Sequence, residues 1–389
     1  MYIDTRQALE DFIVACKGES VLAIDTEFLR EKTYYPQLCL LQFAVGKQVA
    51  IIDPLVPLDL GLLAPLLTDE RIIKVFHAGD QDRAILYHEL GTAVRPVFDT
   101  QRASLLLGLP QQMSLVALVK HFCGISLRKG ESFSDWSQRP LTKTQLDYAL
   151  DDVRYLPAIY EKMVADLTAN GRLGWLREDF RAMEDEERYR TDIREVWRKL
   201  KGASSLGGSK LATVREVAAW RETVAQKRNL PRKWIIPDDL LVEVAKREPD
   251  SLEALFRIRG LRERLGKNWS QELLRAIVRG SKQPSSEWPV RERPVSVDAN
   301  ATAKLDLMNA LLHHRARELR IASSFLVSHD ELVQLAAGRR EGLQVLGGWR
   351  RDLIGDELLR LLEGEVSLSL TDRELKVTLL SQARLSSAQ

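Results

Sequence analysis

Acidic residues stand at three element boundaries of this sequence in a pattern that could do chemistry. "VLAIDTEF" (residues 21–28) runs from apolar residues into Asp25 and Glu27, two positions apart and therefore on one face of a strand. "RIIKVFHAGDQDRAIL" breaks at Gly79 and leads into a helix carrying Asp80 and Asp82, and "YALDDVRYL" sets Tyr148 four residues before Asp152, one above the other on a helix face. Hard anionic oxygens brought from separate elements are what a magnesium-dependent phosphoryl-transfer site requires. Such ligands hold two divalent ions about 4 Å apart, one activating water and the other stabilising the leaving oxygen during in-line attack. The simpler readings stay open at this point: Asp25 as a strand end, Asp82 as a solvated first-turn residue, Asp151 or Asp152 as surface decoration.

Elements that would carry these residues are legible around them. "VLAID", "LCLLQFAV" and "QVAIIDP" read as three successive strands, the last two joined by a short "GKQ" turn. "RIIKVFHA" is a fourth strand, followed by a helix that stops at Gly91, and "VRPVFDTQRASLLL" gives a short strand and a helix. Hairpin strands followed by strand–helix alternation predict a mixed α/β sheet with helices packed on it. From about residue 210 only helices are expected: "KLATVREVAAWRETVAQKRN", "PDDLLVEVAKR" and "SLEALFRIRG", with a serine cap and a terminal Gly260. "SKQPSSEWPVRERPVSVDAN" carries three prolines and reads as a linker. A second helical set follows, in which "LVSHDELVQLAAGR" resembles "IIPDDLLVEVAKR" of the first at an offset of 91 residues; this suggests a degenerate duplication.

Bulk properties narrow the class. The chain has 389 residues, 45% of them hydrophobic and 29% charged, room for two or three domains of ordinary soluble composition. Its net charge of +2 averages over uneven segments, since Arg194 to Lys233 hold eleven Lys or Arg against three Glu. Cys16, Cys39 and Cys123 form no CxxC pair, which argues against a cysteine zinc site and for a reducing compartment. With no apolar run of membrane-spanning length and no signal-peptide pattern at the N-terminus, a cytoplasmic location is the expectation.

"AIDTEF", "HAGDQDRAIL" and "YALDDVRYL" resemble, in order and across 128 residues, the three motifs of the DEDD exonuclease superfamily, in the branch with tyrosine four residues before the last aspartate. "RKGESFSDWSQRPLTKTQLDYA" extends the likeness upstream of the third motif. "REVAAWRETVAQKRNLPRKWIIPDDLL" resembles the HRDC domain closely, and the second helical set resembles it loosely. The resemblance implies a ribonuclease H-like α/β exonuclease domain with a mixed sheet over 1–170, a charged helical connector over 171–209, and two small all-α domains. These are an HRDC domain over 210–280 and, after a linker over 281–300, a divergent HRDC-like domain over 301–370, leaving a tail over 371–389. It further implies two divalent ions, Mg2+ or Mn2+, held by Asp25, Glu27, Asp82 and Asp152, with Asp82 acting through an ion's hydration shell and Tyr148 orienting the attacking water. An unperturbed phenol with a pKa of about 10 is a poor base near neutral pH.

Weaker candidates surround this set. Phe28 is a candidate for stacking on a terminal base and His77 for touching a phosphate. Lys129, Trp136 and Arg139, with Arg128, interleave cation and aromatic as backbone neutralisation and base stacking would. Each has a structural alternative in core packing or a salt bridge. The basic stretch containing Arg215, Arg221, Lys227, Arg228, Arg232 and Lys233 offers a surface for an RNA backbone. The activity implied is 3′–5′ removal of nucleotides from single-stranded 3′ ends of structured RNA, transfer RNA precursors above all, as nucleoside 5′-monophosphates, with no membrane and no obligate protein partner. A DNA exonuclease sharing the acidic set and a noncatalytic RNA-binding protein are the alternatives.

Overall fold

Alternation along residues 21–29 decides how the acidic motif is mounted. In the computed structural model, which describes residues 1–127, 134–290 and 299–380, six strands are β1 (Tyr2–Ile3), β2 (Val21–Leu29), β3 (Gln37–Val45), β4 (Gln48–Ile52), β5 (Ile73–Phe76) and β6 (Val97–Asp99). They form one mixed sheet in the order β1-β4-β3-β2-β5-β6. β2, β3 and β4 pair antiparallel, and β5 and β6 extend the sheet in parallel beyond β2. β3 and β4 are joined through Gly46 at φ +53°, a conformation suited to a two-residue hairpin turn.

Both sheet faces are covered. Leu22 and Ile24 point into a cluster with Leu9, Phe12, Leu67 and Leu86, whereas Ala23, one position on, faces Val153, Leu156 and Ile159. Asp25 and Glu27 continue the Ala23 face, under the helix Lys143–Arg154, which packs on β2, β3 and β4.

The two helical sets attach by different means. Residues 196–277 enclose their own core, including Trp197, Val217, Ile235, Leu241 and Leu273. This module grips the β2–β3 loop through polar groups: Asn229 Oδ1, at the left-handed end of the helix Ser209–Arg228, accepts from the backbone N–H groups of Tyr34 and Tyr35 at 3.1 and 3.0 Å. Among the described residues, the second set shares its core with the exonuclease domain. Met308, Leu311, Phe325 and Leu335 share one cluster with Leu105, Leu118, Ile159 and Leu176 of the first 180 residues. Gly108, at φ +72°, lies so close to this set that a Cβ there would stand 2.7 Å from the Arg320 carbonyl oxygen.

Part of the stretch read as a tail is ordered as a strand. β7 (Val366–Thr371) and β8 (Glu374–Leu379) form an antiparallel hairpin, turning through Asp372 and Arg373, both at positive φ. The helical reading of the second set therefore needs this correction at its end. Among the described residues, no helix is long and apolar enough to cross a membrane.

Candidate active site

Asp25, Glu27 and Asp152 each offer a carboxylate oxygen, and the three oxygens lie within 4.8 Å of one another. Two are carried by β2, which pairs with β3 at both acids and with β5 just before them, at Val21, Leu22 and Ala23. The third comes from the helix Lys143–Arg154, started by a full capping box in which Thr142 and Gln145 satisfy each other's backbone N–H groups. Buried Ala149 and Val153 press this helix onto the sheet, and the i, i+4 spacing puts Tyr148 beside Asp152.

Asp82 arrives differently. β5 ends at Phe76, Ala78 adopts φ +57°, and the helix Asp80–Leu90 begins. The turn is held by the Asp99 carboxylate, which accepts from the N–H groups of Ala78 and Gly79 at 3.3 and 3.0 Å. A Cβ at Gly79 would meet the Phe76 side chain at 2.6 Å, so this position requires glycine. Asp82 is 8% exposed and accepts a hydrogen bond from the Thr26 hydroxyl. It stands beside the three-oxygen cluster rather than in it.

The acids, three part-buried and Asp82 buried, repel one another. Burial, then the charges of Asp82, Asp152 and Glu27, push the Asp25 carboxyl well above the carboxylate range. Burial and the same kind of repulsion raise Glu27 to about 8 and Asp152 to about 7. Burial raises Asp82 as well, against the lowering effect of Thr26. No ion pair reaches these four acids among the described residues: buried Arg83 is engaged by Asp80 and Asp99, and part-buried Arg139 by Asp53. This donor set suits hard divalent cations, which would relieve the repulsion and replace the protons. Metal affinity should therefore rise with pH. Below about pH 7 the ions compete with protons on Glu27 and Asp152, and above about pH 8 they do not. The Mg2+ concentration giving half-maximal activity is expected to fall roughly tenfold between pH 6.5 and 8.5, measured by titrating metal at each pH.

The weaker candidates divide. Phe28 is half-buried where the β2–β3 register shifts between Glu27 and Phe28. His77 is turned inward, with Nε2 donating to the Met113 carbonyl at 3.0 Å and Nδ1 lying 2.9 Å from the Thr100 hydroxyl, so both nitrogens are occupied away from any phosphate. Trp136 is 2% exposed and packs 6.1 Å from the Tyr148 ring; it supports the tyrosine and has no face free for a base. Arg139 reaches Asp53 through Nε and Nη2 at 2.6 and 2.7 Å, and the carbonyls of Trp136 and Cys39 at 2.8 Å. Both are corrections to the substrate-binding expectation: a cation and an aromatic near the third motif found internal partners. Lys129 and Arg128 lie outside the described residues. Arg139→Met should cost about 3 kcal/mol, by stranding the buried Asp53 carboxylate, with KM for RNA unchanged; denaturant unfolding and steady-state kinetics check the two halves.

The basic stretch is likewise partly consumed. Arg221 is 4% exposed and bonded to Asp238 and the Ile236 carbonyl, and Arg232 is paired with Glu222; Lys227, Arg228 and Lys233 are exposed. Thr26, Asp99 and Gly79 escaped the sequence reading as site-building residues. Thr26 had a signal, lying between the two acids of the first motif.

A mixed sheet carrying carboxylates on β2, on the helix after β5 and on a capping helix, with tyrosine one turn before the last, defines a DEDD-type 3′–5′ exonuclease domain. Residues 1–168 match the 3′-5′ exonuclease family and residues 210–277 the HRDC domain. The chain is 37% identical to ribonuclease D of Sphingobium indicum, covering 97% of this chain and 98% of that one. It is 38% identical to ribonuclease D of Zymomonas mobilis over 93% of both. Its fold matches the crystal structure of Escherichia coli RNase D, an exoribonuclease involved in structured RNA processing, with a TM-score of 0.81 at 28% identity over 94% of this chain and 98% of that one. The chain belongs to the ribonuclease D family of 3′–5′ exoribonucleases.

Proposed function

We propose that this enzyme trims extra residues from the 3′ ends of transfer RNA precursors, releasing nucleoside 5′-monophosphates, with two divalent ions held by Asp25, Glu27, Asp152 and Asp82. The observation that carries the reading is the convergence of three carboxylate oxygens within 4.8 Å, with a fourth acid adjacent. The processing of structured RNA by the E. coli relative supports the substrate class.

When bound, the ions supply an acidified water and neutralise charge on the leaving oxygen. Asp25, Glu27 and Asp152 would hold the ions on the side of the attacking water, with Asp25 placed to serve both, and Asp82, held by Thr26, would assist on the side of the leaving oxygen. The Tyr148 hydroxyl, whose pKa burial and the neighbouring carboxylates raise above the usual phenol range, keeps its proton. Tyr148 thus orients the attacking water by hydrogen bonding and does not act as a base. Phe28, half-buried near the end of β2, is the residue assigned to stack on a terminal base. The exposed Lys227, Arg228 and Lys233 offer charge to the RNA backbone.

The test incubates 3′-extended transfer RNA, a matching DNA and a 3′-blocked RNA with wild-type enzyme and Tyr148→Phe, in magnesium or chelator. Stepwise loss from the free RNA end should vanish with chelator and slow by about 10- to 100-fold in Tyr148→Phe. Internal cleavage of blocked RNA would overturn the mechanism, and preference for the DNA would make this a DNA exonuclease.

A further inference from the structure

Gln42 is 0% exposed, and neither its Oε1 nor its Nε2 has a hydrogen-bond partner. Buried polar side chains are seldom left so, and nothing in the sequence marked this residue. Its position gives the reason. Gln42 on β3 is the cross-strand partner of Asp25 on β2 and of Ile51 on β4. Directly opposed residues share a face, with Cβ atoms about 5 Å apart, so Gln42 lies on the face that carries the acids. Along β3 the same face bears Leu40 and Ala44, both buried. Leu40 and Ile51 belong to one apolar cluster with Ala149 of the covering helix, and Tyr148 packs against it. Asp25 is the polar neighbour of Gln42 in this cross-strand row.

Asp82 shows what is missing. It receives the Thr26 hydroxyl, a neutral side-chain donor, and Asp152 has the Tyr148 side chain one helical turn before it, whereas Asp25 has a backbone interaction at Thr26. We propose that Gln42 is the positioning residue for Asp25, its Nε2–H donating to the Asp25 carboxylate when divalent ions are bound. A neutral amide suits the task because it fixes a carboxylate's orientation without a charge that would compete with the metal for it. The proposal rests on the metal-dependent reading of the acidic set.

Gln42→Met keeps the volume and removes the donor. The expected result is weaker Mn2+ binding to the RNA-free protein by calorimetry, roughly tenfold, with the Mg2+ concentration for half-maximal RNA hydrolysis raised by the same factor. Gln42→Glu is not a substitute, since it adds a fifth acid. Unchanged metal affinity and activity, with a higher Tm in the absence of metal, would overturn the proposal and leave Gln42 a buried amide without function. A crystal structure of the wild-type enzyme with Mn2+ gives a test that needs no variant: Nε2 should lie within hydrogen-bond distance of the Asp25 carboxylate, and a separation beyond 3.5 Å sinks the idea. Asp25→Asn run beside it separates the two readings. If Asp25→Asn is inactive and Gln42→Met behaves as wild type, only the Gln42 role fails; if Asp25→Asn stays active, the metal reading itself fails.

Discussion

Asp25→Asn is expected to lower kcat on a 3′-extended RNA by about 10³-fold or more, the loss of several kcal/mol of metal-ion stabilisation, while raising the melting temperature of the metal-free protein. The two effects have one cause. Asp25 is part-buried among Asp82, Asp152 and Glu27, so its ionised form is costly until cations are present. The sign follows from linkage. Each of these carboxyls has a folded pKa raised above its unfolded value, so between the two pKa values the folded protein binds more protons than the unfolded chain. Their contribution is present at low pH and is lost as pH rises from the ordinary carboxylate range toward about 8, the value for Glu27. At pH 8 an asparagine removes that penalty, and Mg2+ should stabilise the wild-type protein far more than the variant. Thermal melts with and without Mg2+ at pH 5.5 and 8, beside a single-turnover assay, measure both halves. A variant that kept its activity would remove Asp25 from the chemistry.

A protein truncated after residue 290 is expected to lose cooperative folding of its exonuclease domain, although Asp25, Glu27, Asp82 and Asp152 all remain. The second helical set shares its core with the domain: Leu311, Leu312, Ile321 and Phe325 pack in one cluster with Leu105, Leu106 and Leu118. The seam also carries an Ala322 N–H to Leu105 carbonyl bond of 3.0 Å and a stacked Trp175–Trp349 pair at 5.0 Å. Arg350 lies over the Trp349 ring at 4.2 Å and is bonded to Asp179 at 3.3 Å. Removing the set would expose this apolar surface, and exposed patches of that kind lead to aggregation. The milder Trp349→Ala should cost about 2 to 3 kcal/mol, read from the denaturation midpoint. A soluble, cooperatively folding truncation would show the shared cluster to be dispensable. The first module, with its own core and its polar hold on Tyr34 and Tyr35, needs the domain less.

Local rules carried the sequence a long way. Period-two alternation put Asp25 and Glu27 on one face of a strand, and helical spacing put Tyr148 over Asp152, because both are properties of the backbone within a few residues. "VSLSLTDRELKVTL" also alternates with a period of two, but its turn, Asp372 and Arg373 at positive φ, carries no glycine to signal a hairpin. What only tertiary structure decided was partner choice. Arg139 and Trp136 look like nucleic-acid chemistry until Asp53, 86 residues away from Arg139, and the underside of Tyr148 are found to occupy them. His77 is settled by Thr100 and Met113, and Asp82 by Thr26, 56 residues earlier. Gln42 gained meaning only when β3 was laid against β2. Sequence spacing fixes which side chains share a face of one element. It does not specify which distant element covers that face, and a charged or polar group's role depends on that neighbour.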